Sequence, residues 1–228
     1  MSNNQNRNWK FGFGIYFVIL VWSFVIMLAG GCAKTVTQIV TYGDQMAVEV
    51  TLRGNPDNDA NRYFLVVSNN ANYKIPLPPP DLIEDAPEFI EPGDTPTTGS
   101  PEAYYTNFYS TWSGYIILEP SGFFLVRGPF VIDQTPTPEV LSNLGEVSTK
   151  INFSFRLGRI FDTVPDNIYF DFVTVPWPDG EAKIPSDHLP TTNNYISKIS
   201  GSIAAITDNE DSGLEASLDI LGCRVEIE

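Results

Sequence analysis

Histidine occurs once in these 228 residues, at His188, and cysteine twice, at Cys32 and Cys223. That scarcity excludes a zinc centre built from two or three histidines, and with it hydrolysis assisted by such a metal. A Ser–His–Asp triad would have to use His188, yet no serine stands in a G-x-S-x-G turn. Asp187 beside it is adjacent in sequence only, which does not orient an imidazole, so His188 reads as a loop residue. No phosphate-binding G-x-x-x-x-G-K-[ST] loop and no dinucleotide fingerprint occur. Positive charge is also short: 13 basic residues face 28 acidic ones, a formal net charge of −15. Nucleic-acid binding, which needs a basic footprint, is excluded, as is a surface drawn to anionic lipid. Helix signals are few, with one short candidate in "TPEVLSNLG", where Thr137 would cap and Pro138 open the first turn. Paired-carboxylate chemistry is the one catalytic route left open. With 28 acids it has no distinguishing pattern, so a glycan-active hydrolase ranks third among the functions considered and the chain is expected not to be an enzyme.

Charge is absent altogether from Phe11 to Leu28, "FGFGIYFVILVWSFVIML", which follows a polar start holding Arg7 and Lys10. In a helix this run spans roughly 27 Å, slightly less than a typical hydrocarbon core. Continuing through "AGGCA" makes it long enough to cross. A basic start, an apolar centre and small residues before a cut form the layout of a secretory signal. The ending "LAGGC" resembles the lipobox of bacterial lipoproteins. The resemblance implies cleavage after Gly31 and lipid attachment at Cys32. It departs from the usual pattern at Ala29, with Leu28 one place further back. Residues 1–31 are therefore expected to be a lipoprotein signal peptide, with an uncleaved membrane anchor as the alternative. In either case Arg7 and Lys10 keep the N-terminus cytoplasmic and put the rest outside. Ala33 after the cysteine, where Asp would retain a lipoprotein in the inner membrane, resembles outer-membrane sorting if the cell is Gram-negative.

Residues 32–228 are expected to form one acidic domain. Only "AKT" separates Cys32 from a first β-like run, "VTQIVTY", a leash of about 10–15 Å. Period-two alternation marks "QMAVEVTLR" and "VSTKINFSFRL", while "RYFLVVS" reads as an apolar strand. "NIYFDFVTV" sets Ile168, Phe170 and Phe172 on one face and Tyr169 and Val173 on the other. "GYIILEPSGFFLV" reads as a hairpin turning at Pro120–Gly122. Further strands fall in "YISKISGSIAAI" and "LEASLDILGCRVEIE". Nine to eleven strands without βαβ alternation or repeat predict an all-β fold, a single mainly antiparallel β-sandwich. Cys223, without a disulfide partner if Cys32 carries lipid, is expected to be a buried, inert thiol.

One segment breaks the pattern. Residues 75–101 hold eight prolines, six acids and no base. Proline at this density opposes helix and ladder, so residues 75–102 read as a long acidic surface loop, removable without harm to the fold. Its apolar members Leu82, Ile83, Phe89 and Ile90 imply that parts of it pack on something. The segment reads either as plain decoration or as a partner-docking or lid element, through which a subunit of a larger assembly would dock.

The candidate ligand-binding residues are aromatic: Trp177, between two prolines, and Trp112, Tyr109 and Tyr105 from "YYTNFYSTWSGY". Flat rings suit sugar faces, and Tyr and Trp dominate protein interface anchors. Asp57, Asp59 and Asn61 have the 1-3-5 spacing of calcium ligands, although Arg62 stands where a calcium loop needs glycine. Asp208, Glu210 and Asp211 form a second acidic group. No cofactor other than calcium is expected. The sequence thus predicts an extracytoplasmic, membrane-anchored, non-catalytic binding or scaffolding module of the cell envelope, with a glycan or an envelope protein as partner. The alternative is a structural subunit of a larger envelope assembly.

Overall fold

The computed structural model describes residues 40–78, 87–143, 148–191 and 193–228. The chain divides between Ile39 and Val40, and the apolar run, Arg7, Lys10 and Cys32 lie outside the described residues. Leu82 and Ile83 do too. Among the described residues no helix is long and apolar enough to cross a membrane.

The described residues fold as a β-sandwich of eleven strands. The smaller sheet has four: β1 (Gln45–Leu52), β6 (Lys150–Arg156), β10 (Ile203–Thr207) and β11 (Ile220–Ile227), in the order β10-β11-β1-β6. The larger contains β2 (Asn61–Ser68), β3 (Gly114–Glu119), β4 (Gly122–Arg127), β5 (Glu139–Ser142), β7 (Asn167–Pro176) and β8 (Asp187–His188), in the order β5-β4-β3-β2-β7-β8. The short β9 (Tyr195–Ser197) also pairs with β7. All these pairings are antiparallel.

Alternation explains the smaller sheet. Met46, Val48, Val50 and Leu52 of β1 and Ile151, Phe153 and Phe155 of β6 point inward, and their neighbours face solvent. The larger sheet is different, because both its faces are covered. In β2, Tyr63, Leu65 and Val67 enter the core between the sheets, while Phe64 and Val66 enter a second core on the far side. A strand buried on two faces reads as a continuous apolar run rather than an alternating one. β7 divides as its sequence predicts, with Ile168, Phe170 and Phe172 inward and Tyr169 and Val173 outward. The β3–β4 hairpin turns at Pro120–Ser121. Gly122 closes it at φ +132°, where a Cβ would lie 2.6 Å from the Ser142 carbonyl oxygen.

The second core takes in part of residues 75–102: Phe89 and Ile90 pack as their apolar character implies, and the surface-loop reading fails for residues 88–90 and Pro92. Glu88, Phe89, Ile90 and Pro92 are buried. With Tyr73, Ile75, Tyr104, Tyr109 and Trp112 they lie over Phe64, Val66, Tyr115, Ile117, Val126, Val173 and Val175. Proline-rich chain satisfies its backbone through side chains here. Tyr109 Oη donates to the Ile90 carbonyl (2.8 Å), Trp112 Nε1 to that of Lys74 (2.7 Å), and Tyr104 Oη accepts from Glu88 N (2.9 Å).

Two further elements depart from the sequence reading. Residues 139–142 form β5, paired with β4, rather than a helix. The exposed edge of β4 offers hydrogen bonds along its length, and Leu141 gains a place against the main core; tertiary pairing outweighs local propensity. Conversely, Pro101–Asn107 is a helix, α1. Ser100 caps it by accepting from Ala103 N, proline occupies its first turn, and Tyr104 is its buried face. Cys223 is buried, and burial pushes its thiol up to about 12.

Candidate functional site

β1 starts beside the chain entry at Val40 and runs roughly 25 Å to the other end of the sandwich. There the loops 53–60, 177–186 and 208–219 gather. Trp177 leaves β7 at this end. Its backbone N–H donates to the Ala60 carbonyl (2.8 Å), so the tryptophan stands beside the Asp57–Asn61 turn that the sequence marked separately. The ring is half-buried on Phe64 (5.9 Å between centroids). Two cations face it: Arg62 Cζ at 5.8 Å and Lys183 Nζ at 5.6 Å from its centroid. In a chain this acidic, a tryptophan between two bases is a local exception.

The other three aromatic candidates connect to Trp177 through a line of rings. Phe64 lies 4.4 Å from Phe89, which stacks on Trp112 at 5.7 Å. Trp112 meets Tyr109 edge-on at 5.0 Å, and Tyr109 meets Tyr105 edge-on at 5.0 Å. Trp112 and Tyr109 are buried in the second core, at 5% and 1% exposure. Tyr105 sits half-buried at its margin, and burial raises its phenol, with Asp133 and Asp94 adding to the rise. Of the four, Trp177 and Tyr105 reach the surface.

The Asp57 turn is closed from within. Asp57 Oδ1 accepts from the N–H groups of Asp59 (3.1 Å) and Ala60 (3.2 Å). Asn61 is buried, its amide donating to Ser217 Oγ (3.1 Å), while Asp57 and Asp59 are exposed. Arg62 Nη1 donates to the carbonyls of Asn58 and Asn61. Among the described residues no group of three or more His, Cys, Asp or Glu side chains is placed to hold a metal ion. The second acidic group is organised by a guanidinium. Arg53 Nε donates to Asp219 Oδ2 at 2.6 Å, Nη2 donates to the carbonyls of Asp211 and Leu214, and Glu210 Oε1 lies 3.9 Å from Nε. Asp219, which the sequence reading passed over, is 1% exposed and also accepts from Asp211 N.

Asp171, which is buried, and Glu91, which is half-buried, were likewise missed. Asp171 of β7 is fully buried, with Oδ1 accepting from Leu189 N (3.2 Å) and Oδ2 lying 3.6 Å from His188 Nδ1. Burial raises its carboxyl to about 6, against the opposing pull of His188. The Asp171 carboxylate beside it raises the imidazole, against the opposing effect of burial. Asp187 does not orient the ring. Its carboxylate accepts from His188 N (2.8 Å) and from Ile220 N (2.7 Å), so it fastens β8 to the start of β11. Asp171 and Asp187 thus both hold backbone N–H groups at this edge of the sheet. Glu91 accepts from Tyr115 Oη at 2.7 Å, and burial raises it to about 7. The signal for Asp171 was present in "YFDFV", a charge inside an apolar strand, but its partner lies on another strand.

A shallow open groove of about 380 Å³ crosses the outer face of the smaller sheet, lined by Ala47, Glu49, Asn152, Ser154 and Arg224 among others. The small side chains of Ala47 and Ser154 make the hollow. Compared with family models, curated proteins and solved structures, the chain matches none.

Proposed function

We propose that the chain is a membrane-tethered envelope lipoprotein, acylated at Cys32, whose acidic β-sandwich acts as a non-catalytic binding or scaffolding module on the outer face of a bacterial membrane. The observation that carries this reading is polarity: the chain enters the sandwich at one end, and Trp177, flanked by Arg62 and Lys183, lies at the other. A tether at the first end presents the second outward. Fully extended, the chain from Cys32 to Val40 reaches roughly 26 Å, so the module stays near the bilayer while its far loops face the envelope.

The ligand class that fits Trp177 is an acidic or hydroxyl-rich surface, a glycan or an envelope protein, because a ring and two bases recognise both apolar faces and anionic groups. The alternative, a subunit docked through the acidic loop, loses residues 88–90 and Pro92 as a docking surface, since they are buried. A photo-crosslinking residue at position 177, introduced in the producing cell, is expected to capture the ligand or partner. The same residue at position 154, in the groove, is the control. For a ligand so identified, Trp177→Ala is expected to weaken binding by about 1–3 kcal/mol. Crosslinks at 154 and none at 177 would move the binding face to the groove.

A further inference from the structure

Exposed large hydrophobic side chains are not spread evenly over the described residues. Seven stand out, and five of them fall in two short segments: Val40 and Tyr42, and Tyr195, Ile199 and Ile203. The fold joins these segments. Tyr42 and Ile199 form an antiparallel bridge, Ser200 N donates to the Thr41 carbonyl (2.9 Å), and Gly43 N to that of Lys198 (3.0 Å). Ile203 follows the turn closed by Ser202 N on the Ile199 carbonyl. Tyr195 is on β9, four residues before Ile199. Tyr42 is 61% and Ile203 54% exposed. The one base in the group, Lys198, lies over the Tyr42 ring at 4.7 Å and is paired with Asp166 at 2.8 Å. Two exposed acids border the patch: Asp44, next to Gly43, and Glu228, whose carbonyl accepts from Asp44 N.

This corner is where the chain enters the sandwich. We infer that it is a membrane seat: Val40, Tyr42, Tyr195, Ile199 and Ile203 rest in the neutral interfacial zone of the bilayer that holds the N-terminal tether. The inference rests on the proposed anchoring. Three considerations favour lipid as the occupant. The first described residue of the patch lies within roughly 26 Å of Cys32, so the tether holds the patch at high effective concentration next to the bilayer. Two of the five residues are tyrosines, whose apolar body and polar tip suit the headgroup level. A second copy fits poorly, because each chain carries a net charge of −15 and five side chains fall well short of the roughly 800 Å² per partner that a stable interface takes. Since the patch is apolar and bordered by the acids Asp44 and Glu228, seating should weaken on anionic lipid.

The test uses the full chain, acylated in its own host and reconstituted into phosphatidylcholine vesicles that contain nitroxide-labelled lipid. A fluorophore is attached at Ile203→Cys, at Tyr195→Cys or, as control, at Asp179→Cys in the far loop. Buried Cys223 takes no label, and one label per chain is verified by mass. The seat predicts quenching several-fold greater at 203 and 195 than at 179. Quenching at 195 should be lost in Tyr42→Ser/Ile203→Ser, while the fraction of protein floating with the vesicles is unchanged. Protein that floats with 203 and 179 equally unquenched overturns the seat alone. Protein that does not float overturns the anchoring and the seat together. Unquenched 203 accompanied by a dimer mass assigns the patch to a second copy.

Discussion

Glu91, Asp171 and Asp187 share one property: burial holds each carboxyl above its ordinary range, Glu91 at about 7 and the two aspartates at about 6. Asp94 is raised for the same reason, and His188 is raised by the Asp171 carboxylate beside it. All these groups hold a proton more tightly in the folded chain than in the unfolded one. Unfolding therefore releases protons, and stability falls as pH rises from about 4 through 7. The melting temperature is expected to be higher at pH 5 than at pH 8, measured by calorimetry or circular dichroism. Glu91→Gln keeps an acceptor for Tyr115 and removes the charge, so it should raise the melting temperature at pH 8 by about 2–4 °C, the equivalent of about 1 kcal/mol in a domain of this size, and leave pH 5 unchanged. An unchanged value at pH 8 would show that Glu91 is not charged against its surroundings. Arg53 makes the opposite case, a base that a buried acid requires. Arg53→Met strands Asp219 and should cost about 3 kcal/mol in denaturant unfolding, with Arg53→Lys intermediate. Little of this was legible beforehand. His188 meets an acid seventeen positions away and Arg53 one much further, and no local spacing encodes pairings made by the fold.

Elements whose information is local were legible, and those that borrow a partner were not. β1 and β6 alternate because one face is core and the other solvent, and the hairpin declares itself at Gly122. β8 is two residues long and has no pattern to read. β5 carries helix-like signals and yields to the edge of β4. The segment before α1 shows the same effect on a larger scale. Its prolines correctly exclude regular structure, but its apolar residues serve a sheet face whose own residues lie elsewhere in the chain. Phe89→Ala should therefore cost about 3–5 kcal/mol in denaturant unfolding, as for other buried phenylalanines; a cost near zero would show that Phe89 does not anchor the second core.

At the scale of the whole molecule, the run of strand patterns without βαβ alternation forecast the all-β class, and composition states the acidity. It did not forecast that the larger sheet would be covered on both faces, or that Trp177 and the Asp57 turn would share one end. Those facts follow from strand order, which no composition carries. The proposed anchoring holds this domain at a membrane by its N-terminus with its far end free. Its sharpest test is the mass of the mature chain, recovered in mild detergent from the membranes of its own cell. Anchoring at Cys32 yields a chain that begins there, carries acyl groups and is found in the membrane fraction. An unacylated chain found in the soluble fraction would refute it.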